Sequence, residues 1–202
     1  MNTDTLVDHV LETIRLKRMP RTGWGTRGVP HVESVAEHTF GVGFLVLALA
    51  DCLQTRGDSE PLDLEKALSM ALLHDLAEVR LTDLPMSAVR LLPDGVKSQA
   101  EAQAIHDLLA LLPSGTRFEE LWREFEDHSS PEGRLLRDAD KLEMMFQCLF
   151  YERTGSRGLD GFWKRTDHHQ WHYSVCADIY ASLKAQRPRN ADSRNPKATG
   201  GA

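Results

Sequence analysis

Cysteine and positive charge are both scarce in this chain. Its 202 residues include three cysteines, and its 24 lysines and arginines are outnumbered by 30 acidic residues. Cys52, Cys148 and Cys176 are far apart and odd in number, which predicts neither a disulfide framework nor a thiolate metal site and fits a reduced cytoplasmic protein. The net charge of −6 argues against a nucleic-acid polymer as partner, because it leaves no basic stripe to neutralise a phosphate backbone. A small anionic substrate needs only a local cationic pocket, which the four basic residues of segment 15–21 can supply.

Long apolar runs and strand-like alternation are absent as well. No run approaches the roughly 20 residues that span a bilayer, and no N-terminal stretch has the basic start and apolar core of a signal peptide. We therefore expect no membrane partner. Apolar residues instead recur at spacings of three and four, which is typical of helices. With 41% hydrophobic residues, the sequence predicts one all-α domain over 1–185 and a disordered tail over 186–202.

Two of the predicted helices have clear start signals. Ser34 followed by Glu37 has the pattern of a capping box, and Asp63 is a good N-cap. Residues 21–33 contain three glycines and a proline, which predicts an irregular loop. The first helix is expected to pack through an apolar face formed by Leu6, Val10, Leu11 and Ile14. The predicted helices cover residues 4–17, 34–53, 64–78, 88–92, 97–112, 117–128, 133–153 and 172–183.

The dipeptide His74-Asp75 lies inside the apolar run 71–77. An unpaired imidazole and carboxylate buried there would cost several kcal/mol, and a divalent cation would satisfy both. His38, in the first turn of another predicted helix, supplies a second imidazole. Glu78 follows one helical turn after His74, close enough to contact a metal-bound water and to act as a general acid or base.

A carboxylate from the predicted helix 133–153 would complete the metal shell, and two residues compete for that place. Asp138 lies nearer the apolar stripe of this helix, whereas Asp140 lies on its flank with Leu136 and Glu143, so periodicity leans slightly to Asp138. Two imidazoles and two carboxylates without a thiolate favour manganese, iron, cobalt, nickel or magnesium, with zinc still possible. One such ion would activate water and neutralise a phosphoryl group.

Three stretches of the chain carry a family resemblance. They read Leu-Lys-Arg-Met-Pro-Arg-Thr-Gly-Trp at 16–24, Glu-Ser-Val-Ala-Glu-His at 33–38 and Leu-His-Asp-Leu-Ala-Glu-Val-Arg-Leu-Thr-Asp-Leu-Pro at 73–85. With a later helical aspartate, and in this order over residues 16–151, they resemble the 5′-deoxynucleotidase branch of the HD-domain phosphohydrolase superfamily. The resemblance implies a helical HD-domain fold with the metal site between helices, a homodimer, and removal of the 5′-phosphate from (deoxy)nucleoside monophosphates.

The resemblance also implies roles for individual residues. It selects Asp140 over Asp138 as the last ligand, because the family ligand ends a Lys/Arg-x-x-Asp segment, here 137–140. Trp24 would press on the sugar and disfavour a 2′-hydroxyl. The metal ligands would be His38, His74, Asp75 and Asp140; Glu78 and Asp83 would orient or protonate groups at the phosphoester; and Arg18, Arg21 or Arg27 would hold the phosphate.

The sequence departs from the family at two positions. Thr82 replaces the family glycine before Asp83, and threonine tolerates positive φ poorly. Gly23 precedes Trp24 where the bacterial enzymes have an arginine, so the phosphate-binding arginine must come from elsewhere in the loop.

Simpler interpretations compete at several of these residues. Trp24 could cap the core, Glu78 could be a solvated helix-end acid, and Asp83 could merely cap a turn. As alternative functions, the chain could be an HD-type di-iron oxygenase, which needs two adjacent metals, or a non-catalytic nucleotide-binding module. The remaining histidines considered as ligands, all expected to lie at the surface or in loops, are His106, His128, His168, His169 and His172.

Overall fold

Helices account for the regular structure of the chain over the residues that the computed structural model describes, 2–57 and 60–188, apart from one isolated bridge between Pro20 and Ser34. The prediction of one all-α domain is confirmed. The predicted tail falls outside the described residues from 189 onward, and the domain boundary at residue 185 stays a prediction. The helices are α1 Thr3–Thr13, a 3-10 helix Ile14–Arg18, α2 Thr22–Gly25, α3 Val35–Arg56, α4 Leu64–Leu73, α5 Glu78–Leu81, α6 Met86–Val89, α7 Val96–Leu109, α8 Gly115–Glu126, α9 Pro131–Arg153, α10 Asp160–Thr166 and α11 Ser174–Ala185.

The long helices α3 and α9 form the centre of the molecule together with α4, and α8 and α11 pack around them. Each central helix buries apolar residues at spacings of three and four. On α3, however, the apolar residues that indicated the helix in the sequence are not all buried, because Phe40 and Phe44 are 77% and 63% exposed. Of the stripe that the sequence predicts for α9, Leu135, Ala139, Leu142 and Leu149 are buried, whereas Phe146 is 42% exposed and the neighbouring Met145 is fully buried. The buried apolar residues of α3 are Val35, Val42, Val46, Leu49 and Leu53.

The predicted start signals of α3 and α4 are confirmed. The Ser34 hydroxyl accepts a hydrogen bond from the Glu37 amide at 3.2 Å, and the Glu37 carboxylate accepts one from the Ser34 amide at 2.6 Å, which together make a capping box. Asp63 accepts from the Lys66 amide at 3.0 Å. The capping box fixes where α3 begins and so places His38 in its first turn.

The predicted helix 64–78 is interrupted at the metal motif. Helix α4 ends at Leu73, and the chain then follows tight turns until α5 begins at Glu78. His74 Nδ1 lies 2.8 Å from the Ala71 carbonyl oxygen, the group that would accept the Asp75 amide in a continuous α-helix. The ring therefore competes with the helix for this carbonyl, and Glu78 is not one regular helical turn beyond His74 as predicted.

Other sequence expectations are wrong in detail. The segment predicted as an irregular loop contains α2, and α10 was not predicted. The face of α1 expected to pack is exposed, with Leu11 58% accessible. By length and composition alone α3 could cross a membrane, against the expectation that no segment reaches that size. Helix α3 packs on α4 and α9 and carries His38, and 28% of its apolar window is buried.

Candidate metal and substrate site

Two imidazole rings face each other between α3 and the end of α4. His38 Nδ1 lies 2.5 Å from Glu143 Oε2, and His74 Nδ1 lies 2.8 Å from the Ala71 carbonyl oxygen. With both Nδ1 atoms donating to these acceptors, each Nε2 carries a lone pair, and the two Nε2 atoms are 3.4 Å apart. Two lone pairs this close repel unless a proton or a cation lies between them.

Two carboxylates approach the same point. Asp75 Oδ2 lies 3.3 Å from His74 Nε2 and 3.6 Å from His38 Nε2. Asp140 Oδ1 lies 3.2 Å from His38 Nε2, and His38, His74 and Asp140 offer ligand atoms that all fall within 4.8 Å of one another. The structure thus brings His38, His74 and Asp140 into one possible metal group, with the Asp75 carboxylate beside both imidazoles, and this mixed nitrogen and oxygen set fits a divalent cation.

Asp138 is buried as its helical phase predicted, but its carboxylate binds backbone amides instead of the histidines of the metal site. Its Oδ2 accepts hydrogen bonds from the amides of His172 at 2.9 Å and Tyr173 at 3.0 Å, just before α11 begins, and His169 Nε2 lies 3.3 Å from Oδ1. Asp140, on the flank of α9, is the acid that reaches the histidines. Helical phase indicated Asp138 because this buried carboxylate connects α9 to the start of α11.

The charges of the cluster shift its protonation equilibria. Burial and Arg21 act to lower the pKa of His38, but Asp140 and Glu143 outweigh them and raise it to about 10. Burial would raise the pKa of Asp75, yet His74, Arg21 and His38 hold it well below its usual range. The carboxylates around His38 stabilise a positive charge on its ring. A divalent cation bound between the same side chains would neutralise the carboxylates in the same way.

Arg21 connects this cluster to an adjacent cavity of about 550 Å³. Its Nη1 donates to Asp75 Oδ2 at 2.9 Å, and the same side chain lines the cavity. Of the three arginines proposed to hold phosphate, Arg21 lies beside the metal ligands and Arg27 lines the cavity. Arg18 is exposed in the 3-10 helix and is not among the residues that line the cavity.

Glu78 is buried near the cluster with one oxygen left free. Burial, followed by the negative charges of Asp75 and Asp83, raises the pKa of Glu78 to about 9. Its Oε2 has no hydrogen-bond partner within the part of the chain that the structure describes. The carboxyl group therefore holds its proton at neutral pH, and it is not the solvated helix-end acid considered as the alternative.

Asp83 anchors the substrate loop. Its Oδ2 accepts hydrogen bonds from the Thr22 amide at 2.5 Å and the Thr22 hydroxyl at 3.1 Å, while that hydroxyl lies 2.7 Å from the Asp83 carbonyl oxygen. Asp83 also lines the cavity. The contacts show Asp83 fixing the position of α2, and so of neighbouring Arg21, whereas its predicted role in proton transfer stays a prediction.

Thr82, immediately before Asp83, adopts φ 63° and ψ 161°, a region that is essentially restricted to glycine. The strain expected from the sequence, where threonine replaces the family glycine, is present in the structure. It is held in place by the hydrogen bonds of Asp83 to Thr22 and by that of the Thr82 amide to the Glu78 carbonyl at 2.7 Å.

Replacing Thr82 with glycine should therefore stabilise the protein. Relief of about 1–3 kcal/mol of backbone strain is offset in part by the larger entropy of glycine in the unfolded chain, which leaves a net gain of about 1 kcal/mol. Chemical denaturation of T82G and the wild-type protein measures this change. Gly57 has φ 70° in the loop after α3, so G57T is the matched opposite change and should destabilise the protein. A loss of stability in T82G would contradict the assignment of strain.

Trp24 is 2% exposed and forms part of the core beside the cavity. Its Nε1 donates to Glu33 Oε1 at 2.7 Å, and its ring stacks on Phe162 at a centroid distance of 4.1 Å. Most of the Trp24 side chain therefore packs in the core, as the simpler interpretation expected, and only its edge is available to a ligand. The proposed contact between Trp24 and a sugar stays a prediction.

Glu143 is the residue of the site that the sequence interpretation missed. It lies one turn after Asp140 on α9 and fixes the tautomer and orientation of His38. Helix α3 approaches it closely, because a Cβ on Gly41 would lie 2.6 Å from Glu143 Oε1 and 2.9 Å from its Cγ. Two features of the sequence point to Glu143. It follows Asp140 at a spacing of i, i+3 on the same flank of α9, and Gly41 lies one turn after His38 on the helix α3 that packs against it.

Gly41→Ala should weaken metal binding by about 10- to 100-fold, the usual effect of losing an outer partner of a histidine ligand. The added methyl group would displace Glu143 and release the His38 ring. The control is Gly43→Ala on the same helix, where a Cβ meets no atom within 4 Å and metal affinity should stay at the wild-type value. Calorimetric titration with Mn²⁺ of chelator-treated protein compares them, and equal affinities for the two variants would contradict the role of Glu143.

A second group of possible ligands shares His38. Glu33, His38 and Glu143 also place ligand atoms within 4.8 Å of one another. His38 would have to bind there through Nδ1, which already contacts Glu143, and Glu33 already accepts from Trp24. We therefore interpret this group as support for the first site. Over the described ranges, none of His106, His128, His168, His169 and His172 joins a possible metal cluster.

The fold and the cluster together define an all-helical protein with a buried site for a divalent cation. The HD domain family matches residues 13–172, and the chain belongs to that family. The "5′-deoxynucleotidase HDDC2" of Danio rerio is 32% identical, with 96% of this chain and 95% of the relative covered. The "5′-deoxynucleotidase hdd1" of Schizosaccharomyces pombe is also 32% identical, with 73% and 74% covered. Among solved structures, the PH0347 protein of Pyrococcus horikoshii OT3 is similar with a TM-score of 0.78 and 40% identity, covering 90% of this chain and 99% of that one.

Proposed function

We propose that this protein is a metal-dependent phosphohydrolase that removes the 5′-phosphate from deoxynucleoside monophosphates. The observation that carries the proposal is the placement of Arg21, which lines a cavity of nucleotide size while its guanidinium lies 2.9 Å from Asp75 of the ligand cluster. Curated relatives named 5′-deoxynucleotidase, which match over most of the chain, support it.

The chain's own residues divide the work of the reaction. A divalent cation held by His38, His74, Asp75 and Asp140 would supply Lewis-acid activation of water and charge neutralisation at the phosphoryl group. Arg21 binds the phosphate, and Asp83 holds the loop from which Arg21 projects. Glu78 carries a proton at neutral pH.

The bonds change as in any phosphomonoester hydrolysis. The oxygen of water forms a bond to phosphorus, the bond from phosphorus to the 5′-oxygen breaks, and the leaving oxygen takes the proton of Glu78. One proton of the water stays on the inorganic phosphate, and the other restores the protonated form of Glu78. The products are a nucleoside with a 5′-hydroxyl group and inorganic phosphate. The leaving group would otherwise depart as an alkoxide, and Glu78 supplies the proton that prevents this.

Phosphate release tests the proposal directly. Protein treated with a chelator and reloaded with Mn²⁺, Co²⁺ or Mg²⁺ is assayed against matched deoxynucleoside and ribonucleoside monophosphates. We expect release only in the reloaded samples and faster release from the deoxy series. No turnover with any common divalent ion would refute the proposal. A stoichiometry of one ion per chain separates hydrolysis from a di-iron oxygenase, which would carry two irons.

We further propose that the protein is a cytoplasmic homodimer that acts on a small nucleotide and not on a nucleic-acid polymer. All three cysteines are free thiols, as a reducing compartment favours. Phe40 and Phe44 on α3 are 77% and 63% exposed, and Phe150 on α9 is 58% exposed, which offers an apolar surface to a second copy. Light scattering during gel filtration tests the dimer, and a monomer mass at micromolar concentration would contradict it.

A further inference from the structure

Glu33 is a buried acid that lies between the metal ligands and the wall of the substrate cavity. It is 9% exposed and belongs to the segment that joins α2 to α3. Its carboxylate offers a ligand atom within 4.8 Å of those of His38 and Glu143. Burial and the negative charge of Glu143 raise the pKa of Glu33 to about 7, which agrees with this proximity. One side of Glu33 therefore adjoins the pair of residues that holds and orients a metal ligand.

The other side of Glu33 holds the cavity wall. Its Oε1 accepts a hydrogen bond from Trp24 Nε1 at 2.7 Å, and its backbone carbonyl oxygen accepts one from the Arg21 amide at 2.9 Å. The Glu33 amide donates to the Tyr151 hydroxyl at 2.8 Å, and the Tyr151 ring packs edge to face on Trp24 at a centroid distance of 5.3 Å. Because Arg21 and Trp24 both line the cavity, Glu33 fixes two points of its wall.

These two points match neighbouring parts of a nucleotide. The Trp24 amide donates to the Arg21 carbonyl oxygen at 3.2 Å, so the two residues lie at the ends of a single turn. In a nucleoside 5′-monophosphate only an ester oxygen and a methylene group separate the phosphorus from the sugar ring. A phosphate bound at Arg21 therefore brings the sugar towards the edge of Trp24. A ring that is held in place cannot make room for an additional hydroxyl group, whereas a ring that is free to shift can.

From this arrangement we infer that Glu33 is a positioning residue for sugar recognition, which sets the discrimination between deoxyribose and ribose by holding the Trp24 indole in place. The inference rests on the proposed function and adds a specificity residue to it. Trp24 meets the sugar, and Glu33 acts through Trp24 without touching the substrate. The position of the acceptor oxygen matters here and not the negative charge, so an uncharged side chain of the same length should serve as well.

Two conservative substitutions separate position from charge. E33Q keeps the length of the side chain and an oxygen that accepts from Trp24 Nε1, whereas E33D keeps the charge and withdraws the acceptor by one carbon atom. The Mn²⁺-reloaded proteins are given the deoxynucleoside and ribonucleoside 5′-monophosphates of one base. We expect kcat/KM to be at least about tenfold higher for the deoxy substrate in the wild-type protein and in E33Q, and this ratio to fall below about threefold in E33D.

The ratio of kcat/KM values is the readout because a merely structural defect would lower both values together. A wild-type ratio in E33D would overturn the inference. A ratio that is lost in E33Q as fully as in E33D would show that the charge of Glu33 matters instead of its position, and would overturn it too.

Glu152 and Trp163 provide a matched control. Trp163 Nε1 donates to Glu152 Oε1 at 3.1 Å and both side chains are buried, but neither is among the residues that line the cavity. E152D withdraws the acceptor from a buried tryptophan in the same way and should keep the wild-type ratio even where it lowers Tm. A ratio that fell equally in E152D and E33D would assign the effect to general loosening of the core and would contradict the role of Glu33.

The indole N–H signals in a ¹H–¹⁵N spectrum test the contact without any turnover. The chain has 4 tryptophans, and the signal that disappears in W24F is that of Trp24. E33D should move this signal more than the signals of the other tryptophans, and E33Q should move it less than E33D does. A Trp24 signal that stays in place in E33D would overturn the inference.

A binding measurement separates failure of this inference from failure of the proposed function. If no nucleotide is hydrolysed, the same ratio is taken from the dissociation constants of the two monophosphates with the Mn²⁺-loaded proteins. A tenfold ratio in the wild-type protein that is lost in E33D would then show that the proposed function is wrong and the role of Glu33 is right. If both nucleotides are hydrolysed equally well by the wild-type protein, the inference is wrong and the phosphohydrolase stands. Equal or absent binding of the two nucleotides also overturns the inference.

Discussion

Glu78→Gln should lower kcat for deoxynucleotide hydrolysis by about 10²- to 10⁴-fold, the usual contribution of a general acid. Glutamine keeps the size of the side chain but has no acidic proton for the leaving 5′-oxygen. Glu78 is suited to donate that proton because burial and the charges of Asp75 and Asp83 raise its pKa to about 9, and because its Oε2 has no partner over the described residues. Substrate binding depends on other groups, so KM should change little.

The pH dependence of kcat tests whether the protonated form of Glu78 is the active form. A group with a pKa near 9 is protonated below that pH and loses its proton as the pH rises through it, so the acid form is lost on the alkaline side. The wild-type kcat at saturating substrate should therefore fall above about pH 9. The residual activity of E78Q should not show this fall, because the titrating group is gone.

Two controls separate chemistry from folding and metal loss. The same substitution at Glu65, whose side chain is 81% exposed on α4, should leave kcat unchanged. Mn²⁺ affinity of E78Q should match the wild-type value, since the ligand atoms belong to other residues. An E78Q protein that binds Mn²⁺ normally and keeps more than about a tenth of the wild-type kcat would show that the proton comes from elsewhere.

Much of the fold could be predicted because it follows from local rules. Apolar spacing gives the long helices, and the capping box at Ser34 fixes where α3 begins. The break after Leu73 depends on a contact of the His74 ring with the Ala71 carbonyl, which competes with helix propensity, and periodicity does not register that competition. Short α2 lies among glycines whose composition predicts a loop, so its position depends on tertiary contacts of Thr22 with Asp83.

The metal ligands of the candidate site could be predicted from the sequence, whereas most residues that surround the ligands could not. The four ligands and Glu78 follow from residue types and from the family resemblance, and the structure brings the ligands together. The spacing of Glu143 from Asp140 places it on the same flank of α9, but only the fold shows that it contacts His38 on α3. An exposed arginine such as Arg90 has the same sequence signature wherever it points, so only the fold shows that it lines the same cavity as Arg27 and Arg165.

Asp140→Ala and Asp138→Ala should have opposite consequences although the two residues are separated by one position. Asp140 Oδ1 lies 3.2 Å from His38 Nε2, so its loss removes a ligand atom and should weaken Mn²⁺ binding by more than about 100-fold, beyond the usual effect of an outer partner. Activity should fall with it. Stability of the metal-free protein should change less than in D138A, because within the described part of the chain the Asp140 side chain accepts no backbone hydrogen bond like those of Asp138.

Asp138→Ala removes the acceptor for the His172 and Tyr173 amides in a fully buried position. Hydrogen bonds to a buried charged group contribute about 1.5–3 kcal/mol each, so unfolding should become easier by about 3 kcal/mol and Tm should fall by roughly 10 °C. Metal affinity of the folded variant should stay near the wild-type value. Thermal unfolding without metal and Mn²⁺ titration at 20 °C measure the two effects on the same samples. If D138A lost Mn²⁺ affinity and D140A kept it, the metal ligand would be Asp138, as helical phase alone suggested. The carboxylate that joins α9 to α11 would then also hold the ion.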